Sequence, residues 1–117
     1  SLEGGVRAAI LARAYLSLDR PLLALAAVGA ADRRERRGDD IDAELLYIEG
    51  AASERIGDWL RAASAFGRIA ALRGDWLDAV ERAGRNYAKT IEMTDDAAVL
   101  EKTGALEPVA AESEDRS

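Results

Sequence analysis

The chain has 117 residues, with 16 basic and 22 acidic side chains, a formal charge of −6, and neither cysteine nor histidine. That excludes disulfide and thiolate chemistry, removes the commonest general base, and sets the overall charge against nucleic acid, whose recognition needs a positive footprint. Hydrophobic residues make up 49% but aromatics only 5%; alanine dominates, which suits closely packed helices better than a sandwich of β-branched and aromatic strands.

The length fits one domain, residues 1–117. Only two prolines interrupt the chain, which also favours helices. No apolar run approaches the roughly 18 residues of a membrane span. Ser1-Leu2-Glu3 has neither an initiator Met nor a signal-peptide pattern, which suits a piece of a longer protein. A chain without cysteine fits the cytoplasm, the favoured compartment, or the periplasm. The alanine- and arginine-rich composition fits a bacterium of high GC content.

Gly5 to Ala31 reads as a first helical hairpin. Asp19-Arg20-Pro21 is its turn, and Pro21 suits a first helical turn, where its missing N–H is not needed. Leu22, Leu25, Ala26 and Val28 are the expected buried face of the second helix. Arg33 to Asp40 is a charge run, read as a solvated helix end and turn within a charged segment, 33–42. A basic contact for an acidic partner is the alternative. Asp39, Asp40, Asp42 and Glu44 lack the alternating ligands of a calcium loop and read as caps, so no metal is expected.

The second hairpin is the clearest. Glu44 to Ile56 should be a helix with Gly50, Ala51 and Ala52 at its middle, Gly57-Asp58 the turn, and Asp58 the cap of the next helix. Trp59, Ala62, Ala63, Phe66, Ile69 and Ala70 then form one apolar stripe. Gly-Asp-Trp-Leu recurs at Gly74 to Leu77, seventeen residues on (74 − 57). The third hairpin should follow: Val80, Ala83-Gly84 and Tyr87 on one helix, and a sixth helix starting at Thr94-Asp95-Asp96 with Ala97, Ala98 and Leu100 inward. Pro108-Val109 starts a short cap or an acidic tail.

These spacings resemble the tetratricopeptide repeat, a helix–turn–helix of about 34 residues. Leu46, Gly50, Ala62 and Phe66 match its pattern in the second hairpin; Leu11-Ala12, Tyr15, Ala24 and Val28 do so in the first, and Val80, Ala83-Gly84 and Tyr87 in the third. Glu49, Ser53 and Gly74 depart from the usual Leu, Tyr and Pro. The resemblance implies an all-α, right-handed stack of three hairpins (about 5–38, 43–76 and 77–110), some six helices, with a possible short C-terminal capping helix.

The resemblance further implies that the first helix of each repeat lines a concave groove for a peptide or protein segment. Transferring its spacing gives Arg13 and Leu16; Glu44, Tyr47, Ala51, Glu54 and Arg55; and Asp78, Glu81, Arg82, Arg85 and Lys89. Arg82, Arg85 and Lys89 share one helix face and suit carboxylates of a partner acidic in part; the plainer reading is that they balance Asp78, Glu81 and Glu92 on a solvated face. Ala9 and Arg13 stand where some members begin a Lys–Asn carboxylate clamp, so the clamp is not reproduced.

Catalysis finds no support. Ser17, Ser53 and Ser64 have no Lys nearby in sequence, and there is no glycine-rich phosphate loop. Arg73-Gly74-Asp75 reads as a helix end and cap, not an adhesion motif. Trp59 and Trp76 read as packing residues, with an exposed hot spot as the alternative. The expected function is a non-catalytic, cofactor-free protein-interaction module. Its rivals are a homo-oligomeric assembly module, marked by exposed Val6, Ile10 or Leu106, and a small-ligand sensor using Tyr15, Tyr47 or Tyr87.

Overall fold

A computed structural model describes residues 2–31 and 39–103 of the chain. They are all-α: α1 (Leu2–Ser17), α2 (Pro21–Gly29), α3 (Asp39–Arg55), α4 (Trp59–Leu72) and α5 (Ala79–Thr103), with no strand among the described residues. The described residues up to Tyr87 form one compact unit, and the described part of the second, residues 88–103, is the continuation of α5. The charge run at Arg33 to Gly38, together with Gly104, Leu106, Pro108 and the acidic tail, lies outside the described residues.

Two hairpins, α1–α2 and α3–α4, are built on one plan. Each first helix ends in the same pair of hydrogen bonds. Arg20 N donates to Tyr15 O at 2.8 Å and Asp19 N to Leu16 O at 3.0 Å. Asp58 N donates to Ser53 O at 2.9 Å and Gly57 N to Glu54 O at 3.1 Å. This is the Schellman closure, which needs one left-handed residue. Asp19 fills that position at φ 57° and Gly57 at φ 77°, thirty-eight residues apart (57 − 19). Pro21 and Trp59, each the first residue of its second helix, stand at the same offset.

The buried positions repeat too. Gly5 matches Ala43, Ala24 matches Ala62, Ala27 matches Ala65 and Val28 matches Phe66, and all are buried. Helix α3 is shared between two clusters. Leu45, Ile48 and Ala52 join Ala12, Ala24, Leu25, Ala27 and Val28. Ala43 and Leu46 join Ala62, Ala65, Phe66, Ile69 and Ala79. Small residues let the helix axes approach: a methyl group on Gly50 would stand 2.6 Å from the Phe66 ring. Burying Phe66 alone stabilises the fold by about 2–3 kcal/mol.

Several boundaries differ from the sequence reading. Helix α3 starts at Asp39, five residues before Glu44, so Asp40 and Asp42 lie in its first turn, where carboxylates favour the helix dipole. On α2 the inward residues are Ala24, Leu25, Ala27 and Val28, whereas Leu22 and Ala26 are exposed. The expected break at Thr94-Asp95-Asp96 is absent and α5 runs through it. No Gly or Pro lies between Gly84 and Thr103, and the Thr94 hydroxyl bonds back to Thr90 O at 2.9 Å, so the local polar group is satisfied within the helix. The described residues therefore hold five helices where about six were expected.

Candidate functional site

Tyr47, Glu54, Asp78 and Arg82, four of the expected groove residues, meet in one network. The Arg82 guanidinium donates to both Glu54 carboxylate oxygens and, from Nη1, to the Tyr47 hydroxyl at 2.7 Å. The Tyr47 hydroxyl donates to Asp78 Oδ1 at 2.6 Å. Arg82 also lies 4.7 Å from the Phe66 ring centroid and 5.2 Å from that of Tyr47, while the two rings meet edge to face at 5.3 Å. The guanidinium thus closes over an aromatic pair, with carboxylate on one side and phenol on the other.

Asn86, which sequence reasoning missed, completes this network. It is buried and donates from Nδ2 to Glu54 at 2.6 Å and to Arg82 O at 2.7 Å. The signal was its spacing: Ala79, Arg82, Ala83 and Asn86 recur three and four apart, and this face turns inward. The reading from Val80 and Tyr87 was therefore rotated by one residue, since these two are 57% and 60% exposed.

The surroundings move the titrations as expected. Burial pushes the Tyr47 phenol up, and its bond to Asp78 adds to this. The Tyr47 hydrogen bond holds the Asp78 carboxyl below the usual range, and the Arg82 charge acts in the same direction. The network is a tie between α3 and the start of α5. Its Arg82 is turned inward and engaged, while Arg85 and Lys89 are exposed along α5.

The other expected residues divide between two places. Arg55 reaches back to the first hairpin, donating to Leu16 O at 3.2 Å and Asp19 Oδ1 at 3.1 Å, a second donor to the carbonyl that also accepts from Asp19 N. Leu16 itself is half-buried against the first cluster, and Ala51 is half-buried on α3. Arg13 and Glu44 form an ion pair across the gap between α1 and α3.

That gap is a groove of about 520 Å³. Its walls are mainly apolar, from Val6, Ala9, Ile10 and Ala14 on α1 and Ile41 on α3, with Arg13, Ser17, Asp40 and Glu44 as polar neighbours. Asp40 pairs with Arg73. The acidic series at the start of α3 is thus partly drawn into ion pairs, and among the described residues no group of three His, Cys, Asp or Glu is placed to hold a metal. Trp76 packs against the second cluster with Arg73 5.3 Å from its ring centroid. No helix among the described residues is long and apolar enough to cross a membrane. No protein-family model, curated protein or solved structure matches the chain.

Proposed function

We propose that the chain is a non-catalytic interaction module of the tetratricopeptide type, and that the α1–α3 groove holds an extended or helical segment of another protein. The groove carries this reading. It lies between the first helices of two like hairpins, it is apolar, and Ile10 on its wall is 66% exposed. An apolar anchor of a partner would displace water there, and the Arg13–Glu44 pair at its edge offers both signs of charge to the flanking backbone or side chains. The repeated turn, the shared offset of the buried positions, and the packing of α1 and α2 on α3 support the family reading. Helices α1 and α3 pack directly on each other, so little ordering opposes binding.

The test is selection of peptides from a random displayed library against the protein, with a Val6→Asp/Ile10→Asp variant as the counter-target. We expect selected peptides with apolar anchors whose Kd rises at least tenfold on the variant, provided its helix content is unchanged. Peptides that bind both proteins alike would remove the groove from the proposal.

A further inference from the structure

The thirty-eight-residue offset between the hairpins extends to α5. Helix α3 turns Ile41, Leu45 and Ile48 to the first hairpin. Thirty-eight residues on stand Ala79, Ala83 and Asn86, the face that α5 turns to the second hairpin. The α1–α3 groove and the α3–α5 contact are thus two versions of one gap, comparable position by position.

Tyr47 stands thirty-eight residues after Ala9, Asp78 after Asp40, and Arg82 after Glu44. The second gap is filled from within. The Tyr47 ring packs edge to face on Phe66, its hydroxyl donates to Asp78 Oδ1 at 2.6 Å, and Arg82 lies 3.9 Å from the same carboxylate. The first gap has a methyl group, from Ala9, where the second has the phenol ring, and about 520 Å³ stays open between Ile10 and Ile41. The acceptor is nonetheless in place. Asp40 lines the opening with its side chain 72% exposed, and Arg73 pairs with it much as Arg82 accompanies Asp78. A carboxylate has about four lone-pair positions, so this ion pair leaves Asp40 able to accept from a phenol as well.

We propose that the groove takes a tyrosine side chain from a basic segment of another protein, its ring beside Ala9 between Ile10 and Ile41 and its hydroxyl donating to Asp40. This rests on the reading of the α1–α3 groove as a binding site and names what it selects. The Tyr47–Asp78 pair is the template: the chain closes one gap with its own tyrosine and leaves the other, with matching walls and a matching carboxylate, to a partner's. An aliphatic anchor would fill the walls but bring no donor to Asp40. Charge sets the rest of the segment. The polar groups on the α3 wall are Asp40 and Glu44, and the chain carries −6, so basic flanks are attracted and acidic ones repelled.

The test uses peptides selected from the random displayed library, with Kd measured by fluorescence polarisation. They should share one tyrosine and carry net positive charge. Replacing that tyrosine by alanine should raise Kd at least about thirtyfold, and by phenylalanine about three- to tenfold, the share of one hydroxyl. On Asp40→Ala the tyrosine–phenylalanine ratio should fall below about twofold. A second measurement needs no peptide. Ala9→Tyr should melt higher than Ala9→Phe, and the gap in Tm should close when Asp40→Ala is added. Selected peptides with no common tyrosine or with net negative charge, a tyrosine–phenylalanine ratio that Asp40→Ala leaves unchanged, or equal melting of the two Ala9 variants would overturn the proposal. Peptides that lack tyrosine yet lose affinity on Val6→Asp/Ile10→Asp would overturn it while leaving the groove standing, whereas peptides indifferent to that variant would remove the groove itself.

Discussion

Helices α4 and α5 are both held against α3, but by opposite means. Helix α4 comes close because Gly50 admits the Phe66 ring and Ala62 and Ala65 add little bulk, so the contact is dry and depends on shape. At the start of α5 only Ala79 is fully buried in the second cluster; the rest is carried by Arg82, Asn86 and Asp78 reaching to Glu54 and Tyr47. Close packing tolerates almost no change of volume. A tie through long polar side chains tolerates volume changes, but not loss of one partner.

The sharpest way to break the first contact is Gly50→Ala. Alanine alone would favour a helix interior by about 1 kcal/mol over glycine. Here its methyl meets a ring that is fully buried, edge-packed by Tyr47 and covered by Arg82, so the ring cannot yield cheaply. We expect a net loss of about 2–3 kcal/mol in urea unfolding. The first hairpin shows the remedy: it has Ala12 and Val28 where the second has Gly50 and Phe66. Adding Phe66→Val should therefore cost less on the Gly50→Ala background than alone, with a coupling of at least about 1 kcal/mol.

The second contact is broken by Arg82→Met, which keeps much of the volume and removes the charge. Glu54 would keep Asn86 but lose its ion pair in a half-buried position. We expect about 1–2 kcal/mol of destabilisation, less than for Gly50→Ala because water can reach the carboxylate. Glu54→Gln on the Arg82→Met background should recover part of it. A loss equal to that of Gly50→Ala would mean that α5 is held as rigidly as α4.

The contrast also explains what was legible in the sequence. The α3–α4 contact was readable because turn chemistry and apolar spacing are local: Gly57, Asp58, Ala62, Phe66 and Ile69 all take the expected places, with Asp58 Oδ1 accepting from Arg61 N at 3.2 Å. The face of α5 was not. Val80 and Tyr87 matched a packing pattern, but pairing of Arg82 and Asn86 with Glu54, some thirty residues earlier, turns a different face inward. The groove residues were assigned by transferring the spacing of the repeat that the chain resembles. Spacing brought Arg13 to Glu44 but could not show that Arg82 faces inward, because that depends on partners distant in sequence.

Gly-Asp-Trp-Leu makes the same point at the scale of a turn. At Gly57 the glycine is left-handed, Asp58 caps, and Trp59 opens α4. At Gly74 the positive φ falls instead on Leu77, Trp76 N bonds to Arg73 O at 3.1 Å, and the helix waits until Ala79. Gly57→Ala should therefore lower stability by about 1 kcal/mol, and Gly74→Ala should be neutral or raise it by about 0.5 kcal/mol, because its methyl meets only the Ala70 carbonyl oxygen at 3.7 Å. Equal losses from both substitutions would show that the two tetrapeptides form the same turn.

The smallest effect is in the pH dependence of the α5 tie. The folded Asp78 carboxyl titrates below its unfolded range, so its contribution is present above that range and is lost as pH falls through the lowered value. The folded Tyr47 phenol titrates above its unfolded value, so its contribution is present below that value and is lost as pH rises through the raised one. The Tyr47–Asp78 bond should thus stabilise the fold on a plateau across neutral pH and fail at both ends. The Asp78 side chain is 43% exposed, and water screens it, so the difference in Tm between the parent and Tyr47→Phe should stay within about 3 °C on the plateau. The difference should shrink below pH 4 and again above pH 10. A difference that did not change with pH would assign the effect of the Tyr47 hydroxyl to the bond it accepts from Arg82 and leave its bond to Asp78 no part in holding α5.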